Sequence, residues 1–293
     1  MPAKMHPLLR RARAFAFDVL LLGSVLLASS CRQRATASHD VKGVGAVASL
    51  SATVNKGLSA TPPAAARPTQ KQGPLEYVLF TTQDASDAAP LPWLVAMHGL
   101  GDRPESFGNS LAKLPLAAHI YLLRAPITYG HGFDWFGVRL TDDPVRLATA
   151  IDAATAKVAE LIAQLAQAPA NLGKPGATGF SQGGILSYSL AVRYPERIAF
   201  AAPVGGWLPP ASWPRAKPEL TVPIFAFHGA NDERLPLADT QRVWDALSAV
   251  GISVEQHVYP GLGHGMSRQL VDEWYTSLAQ GLTDAPTKPA TIP

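Results

Sequence analysis

Cysteine is almost absent: Cys31 is the only one in 293 residues. An intramolecular disulfide is therefore excluded, and no thiol beyond the N-terminal region is on hand as a nucleophile. Zinc-type His/Cys spacings are missing as well, so neither a metal nor another cofactor is expected. Charge is sparse, at 16% of residues against 47% hydrophobic. The formal charge of +3 comes from the N-terminus. Residues 1–30 hold Lys4, Arg10, Arg11 and Arg13 against Asp18 alone, and beyond them basic and acidic residues are equal in number. No basic stripe is interleaved with aromatics, which removes nucleic acid as a partner. No internal repeat is present.

The N-terminus has three parts. Met1 to Arg13 is basic, Phe15 to Ala28 is mostly apolar, and Ala28-Ser29-Ser30 are small. That is the plan of an export signal. The apolar run falls short of the roughly 20 residues a membrane-spanning helix needs. The single cysteine follows the small residues directly. Its placement resembles a bacterial lipobox, with Ala28 where that pattern prefers leucine, so residues 1–31 are expected to be a signal peptide ending in a lipidated Cys31. Arg32 next to it favours the outer membrane over the inner, and a periplasmic or outer-membrane lipoprotein is the expected location. A simply cleaved signal and a retained anchor are the alternatives.

Residues 32–73 are rich in Ala, Ser, Thr, Gly, Pro, Lys and Gln. Such a stretch buries too little apolar surface to offset its ordering entropy, and it reads as a tether. Residues 282–293 read as a loose tail. Between them, residues 74–281 form one domain in which apolar runs alternate with helical patterns. Strands are expected at 75–81 (as an edge strand), 93–97, 119–123, 176–180, 198–204, 222–227 and 252–258. Helices are expected at 144–168, 185–193, 237–250 and 265–279. This alternation specifies an α/β fold with a mostly parallel sheet covered on both faces. Sites in such sheets lie at the carboxyl ends of strands.

The stretch Gly179-Phe180-Ser181-Gln182-Gly183-Gly184 reads G-x-S-x-G, a nucleophile elbow, between a strand-like and a helix-like run. Serine needs a base, and the base needs a buried carboxylate to orient it. The order serine, acid, histidine is met downstream. Asp232 follows a strand in His228-Gly229-Ala230-Asn231-Asp232, with Glu233 as its local competitor. His264 lies in Gly261-Leu262-Gly263-His264-Gly265, where glycines permit a tight loop. His98 and His228, each before a glycine at a strand end, are read as loop-ordering, His257 as structural, and His131 as a loop residue near substrate. Two backbone N–H groups are needed for an oxyanion. Gln182, after the nucleophile, and Leu100, in His98-Gly99-Leu100-Gly101-Asp102, are the expected donors. Asp102 is read as steadying that loop. Trp135, Phe136, Phe107 and Trp207 are the expected substrate-binding side chains, with Trp135 foremost; core packing is the competing role for each.

Taken together, H-G-L-G-D (98–102), R-A-P (124–126), W-F (135–136), G-F-S-Q-G-G (179–184), W-L-P (207–209), H-G-x-x-D-x-x-x-P (228–236) and G-x-G-H (261–264) resemble the phospholipase/carboxylesterase family of α/β-hydrolases, which includes acyl-protein thioesterases. The resemblance spans the domain in the family's order. It implies an α/β-hydrolase fold without a large cap domain, and a catalytic triad of Ser181, Asp232 and His264. It also implies hydrolysis of small carboxylic esters, with thioesters and lysophospholipids as substrates of some members. Leu235 stands where the family usually has valine, and the loop 127–138, which by the resemblance would line the substrate entrance, keeps Trp-Phe but is glycine-rich and otherwise individual. A secreted polyester or feruloyl-ester depolymerase, and a non-catalytic envelope lipoprotein that keeps the fold for binding, are the other readings; the oligomeric state is left open. Radioactive fatty acid fed to producing cells is expected to label the wild-type chain and not Cys31→Ser. An unlabelled wild type, or label that survives the substitution, rules out lipidation at Cys31.

Overall fold

A computed structural model describes residues 68–139 and 142–285. The expected signal, Cys31, the tether as far as residue 67 and the tail from residue 286 lie outside the described residues. The strands are β1 (Gln70–Gln72), β2 (Leu75–Thr81), β3 (Trp93–Met97), β4 (His119–Arg124), β5 (Ile127–Tyr129), β6 (Gly132–Asp134), β7 (Gly176–Phe180), β8 (Phe200–Val204), β9 (Ile224–Gly229) and β10 (Val254–Tyr259). The helices are α1 (Pro104–Gly108), α2 (Pro144–Leu165), α3 (Gln182–Arg193), α4 (Leu237–Ala249) and α5 (Arg268–Asp284).

Eight strands make one sheet in the order β1-β2-β4-β3-β7-β8-β9-β10, and β5 and β6 form a separate hairpin. β1 and β2 run antiparallel to their neighbours, and the pairs from β4 through β10 are parallel. Side chains of a strand alternate between faces. Trp93, Val95 and Met97 accordingly enter one core with Ile151, Val158, Ile185, Val243 and Trp244 of α2, α3 and α4. Leu94 and Ala96 enter the other core, with Phe107 of α1 and Leu270, Trp274 and Leu278 of α5. The sheet is covered on both faces, which is why its central strands are apolar throughout. The excursions after β4 and β8 carry only the β5–β6 hairpin and a 3-10 turn at Pro210–Ser212, so no large cap domain is inserted among the described residues. Among the described residues no helix is long and apolar enough to cross a membrane.

Helix starts follow local chemistry. The Asp143 side chain accepts from the N–H groups of Val145 and Arg146 with Pro144 behind it, and Ser267 accepts from Leu270 N–H.

Four expectations need correction. Gln70–Gln72, read as tether, pairs with β2 as the sheet's outermost strand, so β2 is not an edge. A polar edge strand carries no apolar signal. The last helix runs Arg268–Asp284 rather than 265–279, and Leu282 and Ala285 are buried rather than part of a loose tail. The helix after the elbow begins at Gln182, three residues earlier than the apolar pattern. Strands β8, β9 and β10 each begin two residues later than read, because Ile198, Val222 and Ile252 are buried before pairing starts.

Trp274 is fully buried, stacks on Tyr275 and donates its indole N–H to Thr178 Oγ1 at 3.0 Å. Trp274→Ala is expected to destabilise the domain by about 3–5 kcal/mol, measured by urea unfolding. A loss below about 1 kcal/mol would mean that α5 is not integral to the second core.

Candidate active site

The elbow is built by close backbone approach. A Cβ on Gly183 would sit 1.9 Å from the Met97 carbonyl oxygen, and one on Gly179 would sit 2.5 Å from the Gly183 carbonyl carbon. Only glycine lets β3, β7 and α3 converge here. Between them Ser181 holds φ 57° and ψ −114°, a left-handed φ that serine rarely takes. Its N–H is tied to the Val204 carbonyl of β8 at 3.0 Å. Strain of this kind persists only where surrounding contacts over-determine it, and it lifts the side chain clear of the turn.

The structure brings the three residues of the sequence reading together. Ser181 Oγ lies 2.9 Å from His264 Nε2, and His264 Nδ1 lies 2.7 Å from Asp232 Oδ2. Asp232 is buried, and its other oxygen accepts the N–H groups of Arg234 and Leu235, both at 2.9 Å. With Nδ1–H given to Asp232, His264 presents a bare Nε2 to the serine hydroxyl, the geometry of a general base. Glu233, the competitor, is exposed. The base and acid loops are joined to each other. Asn231 N–H donates to the Leu262 carbonyl at 2.9 Å, and Gly261 N–H to Asn231 Oδ1 at 3.0 Å. Phe180 backs the His264 ring, with centroids 4.8 Å apart.

The remaining histidines have other work. His228 is buried, donates Nε2–H to the Leu235 carbonyl at 2.8 Å and comes within 3.5 Å of Asp232 Oδ2. Burial lowers its pKa, and outweighs the Leu235 carbonyl and the Asp232 charge, which favour its cation. A neutral His228 leaves the Asp232 charge to His264. His98 is bonded at Nδ1 to the Gly99 carbonyl (2.7 Å) and accepts Ala125 N–H at Nε2 (3.3 Å), ordering the loop as read. Burial lowers its pKa too, against the Gly99 carbonyl and the nearby Asp102 and Glu105 charges. His257 lies between Glu255 and Glu273 on the sheet's far edge. His131 is exposed, its carbonyl taking Arg103 Nη1 at 3.2 Å.

Gln182 opens α3, so its N–H is among the first-turn donors that lack an intrahelical partner, at the positive end of the helix dipole. The His98–Asp102 loop runs beside it: a Cβ on Gly99 would lie 3.4 Å from Ser181 Cβ. Leu100 follows directly and is 37% exposed. Asp102 steadies the loop through its backbone, N–H to the Gly99 carbonyl and carbonyl to Phe133 N–H.

Three of the four aromatic expectations are corrected. Trp135 is 2% exposed; its indole N–H donates to the His98 carbonyl at 2.9 Å and its ring packs on His98. Phe136 is buried in the same core, and Phe107 packs against Trp274 in the other. Trp207 is half-buried against the first core. Trp135, Phe136 and Phe107 take the packing role, while Trp207 keeps part of its surface open. The apolar side chains left open near the loop are Leu100 and, on the hairpin, Ile127 and Tyr129, the last facing Gly101. Both hairpin residues belong to the loop 127–138 read as lining the substrate entrance; the sequence reading missed the side chain of Gln182, which accepts Trp135 N–H at 3.1 Å and donates to Asp134 Oδ1 at 2.9 Å. Only the W-F motif beside an acid hinted at that link. Burial pushes the Asp134 carboxyl up, but hydrogen bonds from Arg139, Gln182 and the N–H groups of Phe136 and Gly137 outweigh it and hold it below the ordinary carboxylate value. Among the described residues no cluster of His, Cys, Asp or Glu is arranged to hold a metal ion.

A strained serine on an elbow, a histidine bonded to it and a buried aspartate behind define the arrangement of a serine hydrolase on an α/β-hydrolase fold. The Phospholipase/Carboxylesterase family profile matches residues 83–281, and the chain belongs to that family of α/β-hydrolases. Arabidopsis thaliana carboxylesterase SOBER1 is 26% identical over 212 residues, covering 64% of this chain and 91% of that protein. A probable carboxylesterase of Oryza sativa subsp. japonica is 37% identical over 94 residues, 31% of this chain; the aligned stretch spans only 35% of the rice protein. The crystal structure of Zea mays acyl-protein thioesterase 2 superposes with a TM-score of 0.55 at 28% identity, over 70% of this chain and 98% of that one.

Folding depresses the His98 pKa below its ordinary 6.5. The stabilisation linked to it is therefore complete above that pH and shrinks as the pH falls, because the unfolded chain then binds the proton that the folded one refuses. The stability advantage of wild type over His98→Gln in urea unfolding is expected to be larger at about pH 7.5 than at about pH 5.5. An advantage that stays flat, or grows on acidification, contradicts a buried neutral imidazole.

Proposed function

We propose that this chain hydrolyses small carboxylic esters through an acyl-enzyme on Ser181. The observation that carries the reading is the unbroken hydrogen-bonded series Asp232–His264–Ser181. Ser181 Oγ attacks the ester carbonyl carbon while His264 Nε2 takes its proton. The negative charge that develops on the carbonyl oxygen meets the N–H groups of Gln182 and Leu100. Collapse of the tetrahedral intermediate breaks the bond to the alkoxide, which leaves with the proton from His264. A water then gives a proton to His264 and attacks the acyl-serine, and the acid is released as Ser181 is restored. Asp232 keeps the imidazole oriented and stabilises its charged form.

Thioesters and lysophospholipids present the same acyl carbonyl and belong to the same reading. The names of the relatives, carboxylesterases and an acyl-protein thioesterase, support it. The N-terminal pattern supports an exported protein held at a membrane through Cys31, so the esters it meets are those outside the cytoplasm.

Purified domain is expected to hydrolyse p-nitrophenyl esters of graded acyl length and to react with a fluorophosphonate probe. Ser181→Ala is expected to lower kcat by a factor of at least about 10⁴ and to abolish labelling. Labelling or turnover that persists in Ser181→Ala refutes the assignment; a wild type inert to both probe and esters favours the binding protein.

A further inference from the structure

The β5–β6 hairpin touches both sides of the oxyanion site. On one side its backbone pairs with the Leu100 loop: Gly101 N–H donates to the Phe133 carbonyl at 2.8 Å, and Phe133 N–H to the Asp102 carbonyl at 3.1 Å. The fit is close, since a Cβ on Gly132 would lie 2.2 Å from the Gly101 carbonyl oxygen. Trp135 adds its indole N–H to the His98 carbonyl, at the start of the same loop. On the other side the hairpin grips the side chain of Gln182, whose own backbone carries the second donor. Trp135 N–H meets Gln182 Oε1, and Gln182 Nε2 meets Asp134 Oδ1.

Asp134 is the centre of this grip. It is 1% exposed, and its carboxylate collects four donors. Oδ1 accepts from Gln182 Nε2 at 2.9 Å, Phe136 N–H at 3.0 Å and Gly137 N–H at 3.3 Å, while Oδ2 accepts from Arg139 Nη1 at 2.7 Å. Arg139 reaches in from the surface, and its guanidinium lies over the Tyr129 ring of the hairpin, 4.8 Å from the centroid. A buried carboxylate is costly unless fully paired, and this one is.

We propose that the hairpin is a bracket that sets the separation of the two oxyanion donors, and that Asp134 is its positioning residue. The inference rests on the assignment of Leu100 and Gln182 as donors in Ser181-dependent ester hydrolysis. Asp134 touches neither Ser181 nor His264 in the hydrogen-bond network, so it acts through Gln182. Oxyanion donors act at about 2.7–3.1 Å from the developing charge, and displacements of about 1 Å can cost on the order of 10²-fold in rate.

The test compares a p-nitrophenyl ester with its thiono analogue, in which sulfur replaces the carbonyl oxygen. Sulfur accepts hydrogen bonds poorly, so the thiono substrate draws little help from the donors. Asp134→Ala is expected to lower kcat on the oxygen ester roughly 10–100-fold with KM within about twofold, and to slow the thiono ester at most about threefold, so the oxygen-to-sulfur rate ratio collapses. Gln182→Met keeps the backbone donor and the side-chain length while removing the grip. It is expected to show the same collapse, and it decides the matter if Asp134→Ala does not fold. Equal losses on both substrates, or unchanged rates, overturn the bracket. A wild type without Ser181-dependent hydrolysis instead overturns the functional reading on which the inference rests.

Discussion

The approach of Gly183 to the Met97 carbonyl is the constraint from which the rest of the site follows. It draws the start of α3 onto the end of β3, and that proximity forces the turn between β7 and α3 to be sharp. Ser181 takes its left-handed backbone there because no relaxed geometry joins the two elements in one residue. The same approach places the first N–H groups of α3 beside the loop that leaves β3. Ser181 and the two N–H groups proposed as oxyanion donors are thus products of one packing contact rather than separately placed parts.

Asp232 and His264 arrive by a second contact. β9 and β10 are adjacent parallel strands, so the loops at their carboxyl ends emerge side by side. Gly229 lies against the backbone of Leu262 and Gly263, where a Cβ would come within 2.4 Å of their carbonyl oxygens. The Asn231 bonds then lock the two loops together. The loop that carries His264 is thereby bonded directly to the loop that carries Asp232. His228 closes the rear of this unit as a neutral ring.

The architecture was legible in the sequence wherever apolar periodicity was strong and punctuation clear. Trp93–Met97, Gly176–Phe180 and the framed helix after Asp143 were readable for that reason. Ser181, Asp232 and His264 could be singled out because each sits after a strand in a fixed order with glycines around it. What escaped were features whose signal is not local. Gln70–Gln72 is polar and becomes a strand only by pairing with β2. The hairpin of β5 and β6 is three residues a side, below the length at which alternation can be seen. Large aromatics next to a site read as pocket lining, yet Trp135 and Phe107 are buried; composition does not say which side of a ring is occupied. The reach of the Gln182 side chain to Asp134, 48 residues away, has no sequence period at all.

The central claim is that Ser181 carries the acyl group between attack and release. Intact-protein mass spectrometry after rapid mixing with a slowly deacylating activated ester tests it directly. The account predicts a mass increase equal to one acyl group, located by peptide fragmentation on Ser181 and decaying as the free acid appears. An adduct on any other residue, or turnover of the ester with no acyl-serine trapped at any time, would contradict it.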